Sequence, residues 1–118
     1  MHILAKRNVW LFASAIMALG VVLPASAAFA QQTSVRLTLK DHKFIPAEVH
    51  APANKPITIV VQNADTTPAE FESKTLRVEK VVAGGGTVTL NVRALPPGRY
   101  RFFDDYHEDT TEGYLVVE

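Results

Sequence analysis

The densest group of chemically active side chains lies near the C-terminal end of the sequence, in the stretch 102–113. It contains five carboxylates and one imidazole, that of His107. From Asp104 to the last residue there are six acidic residues and no Lys or Arg. Carboxylates held this close together repel one another, so the loop needs a positive partner. A bound metal cation is one such partner, and a solvated acidic turn without a ligand is the alternative.

A second acidic motif occurs earlier in the chain, at Glu70-Phe71-Glu72-Ser73. An extended backbone would send Glu70 and Glu72 to one side and Phe71 to the other. We predict that the two motifs form one metal site in which three or four donors bind the ion directly. The predicted donors are Glu70, Glu72, Asp104, Asp105, His107 and Glu108.

Other roles are open for several of these residues. Glu72 could instead pair with Lys74 or Arg77 on the surface, and the two aspartates at 104 and 105 could cap a turn by accepting backbone N–H groups. Three more candidate donors lie outside the predicted site, because they show no paired spacing with it. These are His42, His50 and Glu79.

Short segments of alternating polarity must position the two motifs. Val35, Leu37 and Leu39 alternate with polar residues, and the run 57–63 is the most strand-like in the chain. Many short strands between Gly and Pro turns, without helical periodicity, predict an antiparallel sandwich or barrel. Any helix would be a single turn, within 68–75.

The first thirty residues have the layout of a secretory signal peptide. Lys6 and Arg7 precede an apolar run, and small residues before Ala30 suit a signal peptidase. We predict cleavage after Ala30, with Ala27 as the second choice, which leaves residues 31–118 as one domain. The apolar run is shorter than the roughly 20 residues of a membrane span. The predicted location is therefore the periplasm, with no membrane span after cleavage.

Composition restricts the function of the predicted domain. Loss of Lys6 and Arg7 leaves 10 basic against 12 acidic residues, which does not favour nucleic acid binding. The sequence contains no cysteine, which excludes disulfides and thiolate metal ligands. No nucleophile motif or phosphate-binding glycine loop indicates a hydrolase, since Gly84-Gly85-Gly86 precedes a strand pattern.

The order of the segments resembles a cupredoxin over nearly all of 35–118. The features that carry the resemblance are an opening strand, Phe44-Ile45-Pro46, a strand ending in Asn63, the run from Leu95 to Phe102, and the acidic loop before the last strand. The resemblance implies a Greek-key β-sandwich of about seven strands. It also places Asp104 at the family's Cys ligand, His107 at a His ligand, Thr111 near the Met and Glu70 near the other His. A blue-copper site with a Cys ligand is therefore absent.

The motifs 70–73 and 102–107 resemble more closely the cupredoxin-like domain of bacterial iron-uptake proteins of the EfeO type. That resemblance implies a periplasmic protein that binds Fe(III) or Cu(II) and accompanies an inner-membrane iron permease and a periplasmic iron-binding protein. Two alternatives stay open. One is a copper-dependent ferroxidase, and the other is a metal-free sandwich that docks to a permease.

Overall fold

The structure, a computed structural model, describes residues 33–118 together with Ala18 and Gly20. This part of the chain contains nine β-strands and one short 3-10 helix, which spans Asp105–His107. The strands are β1 (Thr33–Lys40), β2 (Lys43–Ile45), β3 (Glu48–Ala51), β4 (Ile57–Asn63), β5 (Ala69–Ser73), β6 (Val78–Val82), β7 (Thr87–Val92), β8 (Gly98–Asp104) and β9 (Glu112–Val117).

The strands form two sheets, ordered β2-β1-β4-β7 and β3-β9-β8-β5-β6. A single hydrophobic cluster contains buried side chains from both sheets, which are therefore the two layers of a sandwich. The predicted all-β sandwich is confirmed. The described residues form nine strands instead of about seven, because short segments such as β2 also pair with a neighbour.

Two strand pairs run parallel, unlike the expected antiparallel arrangement. β1 pairs with β4 and β3 pairs with β9 in parallel, while the other pairs are antiparallel. Alternation along a strand shows which side chains face the core, but it carries no information on the direction of the neighbouring strand. The predicted direction was therefore wrong for these two pairs.

The buried faces follow the alternation that the sequence shows. Leu37 and Leu39 of β1 and Ile57 and Ile59 of β4 are almost fully buried, and the polar residues between them in β1 are more exposed. The end of β8 departs from this pattern, because three consecutive residues are buried. The last of the three is Asp104, a carboxylate that is 1% exposed.

Three phenylalanines form the core directly beneath the end of β8. Phe71 and Phe102 stack with ring centroids 5.2 Å apart, and Phe44 meets both rings edge-on. Gly113 permits this packing, because a Cβ atom there would lie 2.5 Å from the Phe102 ring. Strand pairing places Phe71 opposite Asp104, so the aromatic core supports the position of the buried carboxylate.

The helical turn expected within 68–75 is absent, since β5 occupies most of that range. A turn forms instead immediately after β8, where Asp104 caps the 3-10 helix by accepting a hydrogen bond from Tyr106 N–H.

The predicted signal peptide, residues 1–30, lies outside the described part of the chain except for Ala18 and Gly20. Within the described residues, no helix has the length and apolarity needed to cross a bilayer.

Candidate metal centre

The centre is built around the carboxylate of Asp104, at the end of β8. Its Oδ1 atom accepts hydrogen bonds from Glu70 N–H at 3.0 Å and from Tyr106 N–H at 3.1 Å. Its Oδ2 atom lies 3.2 Å from His107 Nδ1. A buried carboxylate requires such partners, because the loss of water would otherwise be costly. One oxygen is therefore committed to the backbone, and the other faces an imidazole.

The 3-10 helix brings His107 back onto Asp104. Only Asp105 and Tyr106 lie between the two residues in the sequence, and the tight turn brings their side chains together. The carbonyl oxygen of His107 accepts hydrogen bonds from Thr110 N–H and Thr111 N–H, which fix the C-terminal side of the turn. The His107 side chain remains 41% exposed, so its ring is held in place and still accessible from solvent.

A second imidazole, that of His42, approaches from the turn between β1 and β2. The His42 and His107 ring centroids are 4.4 Å apart. Asp41 and His42 have φ values of 51° and 56°, as a two-residue hairpin turn of type I′ requires. One donor atom from each of His42, Asp104 and His107 lies within 4.8 Å of the other two.

A separate group of carboxylates lies on the neighbouring strands β5 and β6. It consists of Glu70, Glu72 and Glu79, again with donor atoms within 4.8 Å of one another. A hydrogen bond with Glu79, followed by burial and nearby negative charges, raises the pKa of Glu70. Burial first, and then the charges of Asp105 and Glu79, raise the pKa of Glu72. Without a cation, this group is therefore electrostatically unfavourable.

The structure distributes the six predicted donors over different surroundings. Asp104 and His107 belong to the first group, and Glu70 and Glu72 belong to the second, with Asp105 beside Glu72. Glu108 instead approaches Arg101, with 3.4 Å between its Oε1 and Arg101 Nη1. The single site expected from sequence is therefore represented by two adjacent groups, linked by the Glu70 N–H bond to Asp104.

Sequence reasoning missed His42 and Glu79. Glu79 lies directly opposite Glu72 in the β5–β6 pair, a register that the sequence does not reveal. For His42 a signal was present: Asp41 and His42 are the only residues between Lys40 and Lys43, which pair across the hairpin. A two-residue turn without glycine is unusual, because both residues must take positive φ.

Comparison with known proteins supplies the family. Residues 11–117 match the model of the cupredoxin-like domain. The chain belongs to the cupredoxin-like domain family. An uncharacterized protein of Rickettsia prowazekii is 41% identical over 83 residues, which span 70% of this chain and 66% of that protein. The matched region therefore falls just short of two thirds of that relative.

Solved structures show the same fold at low sequence identity. Auracyanin A, a blue copper protein of Chloroflexus aurantiacus, has a TM-score of 0.65 at 15% identity, covering 75% of this chain and 100% of its own. The metal-binding domain of the Cu(I)-exporting ATPase CopA of Streptococcus pneumoniae has a TM-score of 0.64 at 14% identity, covering 72% of this chain and 84% of that one. Amicyanin of Paracoccus versutus, at 17% identity, covers 78% and 88% with a TM-score of 0.56. The cupredoxin fold predicted from the sequence is confirmed.

Copper is the metal that this family implies. In this cupredoxin-like domain the candidate donors for it are His42, Asp104 and His107. The chain has no cysteine, so a blue-copper site cannot form. Two imidazoles and a carboxylate are nitrogen and oxygen donors, which suit Cu(II) and iron better than Cu(I). The 3.2 Å between His107 Nδ1 and Asp104 Oδ2 is also close to the separation of two donors that share one ion at about 2.0–2.2 Å. The residues present therefore fit an oxidised copper or iron ion.

Replacement of His42 by glycine should not destabilise the metal-free protein. Glycine adopts positive φ without the penalty that other residues incur, so we expect the free energy of unfolding to stay equal or to rise by up to about 1 kcal/mol. His50→Gly, at an exposed strand position, should instead lower the free energy of unfolding, because glycine destabilises a strand. Urea unfolding measures both. A loss of more than about 1 kcal/mol in His42→Gly would contradict the assignment of strain to this turn.

The carboxylate group on β5 and β6 predicts a pH dependence of stability. Its raised pKa values mean that the folded state binds more protons than the unfolded state above the ordinary value of 4.5, so stability should fall as pH rises through the folded pKa. Glu79→Gln removes the largest cause of the raised Glu70 pKa, so its stability should fall less than that of the wild type as the pH rises. Unfolding free energies measured between about pH 5 and pH 8 test it.

The control for this experiment is Asp109→Asn, which removes one charge from an exposed position of the acidic loop. It should leave the slope of stability against pH close to that of the wild type. An unchanged slope in Glu79→Gln would show that Glu70 and Glu79 do not interact.

Proposed function

We propose that this protein binds a Cu(II) or Fe(III) ion through His42, Asp104 and His107. The observation that carries the proposal is the convergence of three donors from two distant segments, with one donor atom each within 4.8 Å of the others. Two features distinguish this group from a chance cluster on the surface. Asp104 is buried, and His42 is held on a turn with an unfavourable backbone conformation.

The donor chemistry favours an oxidised ion. Imidazole is a good ligand for copper and iron, and carboxylate oxygen suits harder ions, whereas Cu(I) prefers sulfur. Among divalent first-row metals Cu(II) binds most tightly to such donors. A bound Cu(II) would supply a one-electron acceptor at this end of the sandwich.

The side chains of the protein have distinct tasks in this proposal. Without an ion, Asp104 Oδ2 contacts His107 Nδ1 and so holds the ring close to the carboxylate, while the other oxygen of Asp104 is fixed by two backbone N–H groups. With an ion bound, Asp104 Oδ2 and the His107 imidazole would both face the ion instead of each other. Since protons compete with metal for both imidazoles, affinity should fall as the pH is lowered.

We further propose that the protein is an exported accessory of an iron-transport system, acting in the periplasm beside an inner-membrane iron permease and a periplasmic iron-binding protein. This role rests on the resemblance of 70–73 and 102–107 to the EfeO type. The structure supports a functional separation within those motifs. Phe71 and Ser73 are buried and structural, whereas Glu70 and Glu72 face outward with Glu79. Ser73 donates its hydroxyl hydrogen to Arg101 O and accepts from Leu76 N–H.

A copper-dependent ferroxidase is the second candidate. It is favoured because the cluster of three glutamates on β5 and β6 lies next to the cluster that contains the two histidines. The Glu70 N–H bond to Asp104 links the two clusters. Carboxylates of this kind suit iron, and Cu(II) can accept the single electron that Fe(II) loses on oxidation. Faster Fe(II) oxidation by the copper-loaded protein than by the same amount of free Cu(II) would favour this role over simple binding.

Titration of the purified protein with chelate-buffered Cu(II) tests the centre. We expect one tight site, weakened at least about 10-fold by His42→Asn, by His107→Asn and by Asp104→Asn, since each removes a donor or its orientation. Asparagine tolerates positive φ, so His42→Asn retains the turn.

The matched control is His50→Asn, since His50 is also an exposed imidazole and is flanked by Glu48 and Glu118 on another part of the sandwich. It should leave the tight site unchanged. Saturable binding that survives in all three site variants would contradict the proposed donor set, and the absence of any binding would contradict a metal-binding function.

The transport role predicts a phenotype in the source organism. Cells that lack the protein should take up radioactive iron more slowly under iron limitation, and re-expression of the wild type should restore uptake. A variant that carries both His42→Asn and His107→Asn should not restore it, provided that equal amounts are exported. Full restoration of iron uptake by that variant would show that the protein's role in uptake does not depend on the proposed metal centre.

A further inference from the structure

His42 is held from outside its own hairpin by the carboxylate of Asp65. Asp65 Oδ1 accepts a hydrogen bond from Asp41 N–H at 2.7 Å, and Oδ2 accepts one from His42 N–H at 3.0 Å. Both N–H groups belong to the two central residues of the turn, whose φ values are positive. A single carboxylate therefore binds the two central residues of the turn at once, from a loop more than twenty residues further along the chain.

The loop that carries Asp65 is itself fixed in several ways. Asp65 N–H donates to Asn63 Oδ1, and the buried Asn63 side chain donates to Thr67 O at 2.8 Å and Val82 O at 3.2 Å. Asp65 O accepts from Gly85 N–H at 3.0 Å. A Cβ atom on Gly84 would lie 2.1 Å from Thr66 O, so the glycine turn allows the loop to approach closely. The carboxylate therefore has a rigid support.

The other side of the turn is fixed by Thr111. Its side chain is fully buried, and its hydroxyl donates to His42 O at 2.6 Å. Thr111 N–H donates in addition to His107 O at 2.9 Å. The same residue thus connects the backbones of the two histidines, while Asp65 holds the opposite side of His42.

We propose that Asp65 is a positioning residue of the metal centre, which holds the Asp41-His42 turn in the left-handed conformation that presents the His42 imidazole to His107. This inference rests on the proposed function. Asp65 does not belong to the group of converging donor atoms, and both of its oxygens accept hydrogen bonds from the backbone N–H groups of the turn. Its effect on metal binding is exerted through His42 alone.

A double-mutant cycle tests this dependence. Asp65→Ala should weaken Cu(II) binding at least about 10-fold in the wild-type background, measured by competition with a chelator. In the His42→Asn background the same substitution should change affinity less than about 2-fold, because the ligand that it positions is already absent. Electron paramagnetic resonance of the copper-loaded Asp65→Ala protein should show one imidazole nitrogen fewer than the wild type.

The control is Asp41→Asn, which removes one negative charge beside the same histidine and leaves the two N–H bonds to Asp65 in place. It should reduce affinity much less than Asp65→Ala does. An equal loss in Asp41→Asn, or an equal effect of Asp65→Ala with and without His42, would show that Asp65 acts only through charge and would overturn the proposal.

A measurement on the metal-free protein separates this inference from the proposed function. Nuclear Overhauser contacts between the His42 and His107 ring protons should be present in the wild type and in Asp41→Asn, and lost in Asp65→Ala. Their persistence in a folded Asp65→Ala protein would overturn the positioning role. If the contacts disappear as expected but the wild type binds no Cu(II), the positioning role stands and the metal-binding function fails.

Discussion

The burial of one carboxylate, that of Asp104, is the constraint on which the end of the sandwich with the proposed metal centre depends. Asp104 is the last of three consecutive buried residues at the end of β8, and it is only 1% exposed. Its oxygens compensate for lost water by accepting from Glu70 N–H and Tyr106 N–H and by contacting His107. These bonds join β5, the 3-10 helix and the end of β8. Hydrogen bonds to a charged group contribute about 1.5–3 kcal/mol each, so the arrangement of the loop depends on this residue.

The fold supports a different donor chemistry from that of a blue-copper protein. Asp104 occupies the strand end where the resemblance places a Cys ligand, and Thr111 lies near the place of the Met. Thr111 contacts the His42 backbone through its hydroxyl, so it serves the centre as an anchor and not as a sulfur donor. The second imidazole comes from the β1–β2 hairpin, a segment that the family pattern does not include among its ligands. Oxygen and nitrogen donors in place of sulfur shift the preference from Cu(I) to Cu(II) and iron.

Much of the fold could be predicted from the sequence, and the centre only in part. The alternation in β1 and β4 identified their buried faces, since period two depends on local sequence alone. The acidic loop identified Asp104 and His107, because they are close along the chain. His42 and Glu79 could not be assigned, since their positions depend on a hairpin turn and on a strand register that bring distant segments together. Strand direction was missed for β1–β4 and β3–β9 for the same reason. The signal peptide and the transport role remain predictions.

Binding of one ion by both His42 and His107 is tested most directly by pulsed electron paramagnetic resonance of the copper-loaded protein with histidine labelled with nitrogen-15. We expect two imidazole ligands, from His42 and His107, in a site without sulfur. A spectrum with a single imidazole, or one unaffected by histidine labelling, would contradict the convergence of these two histidines on one ion.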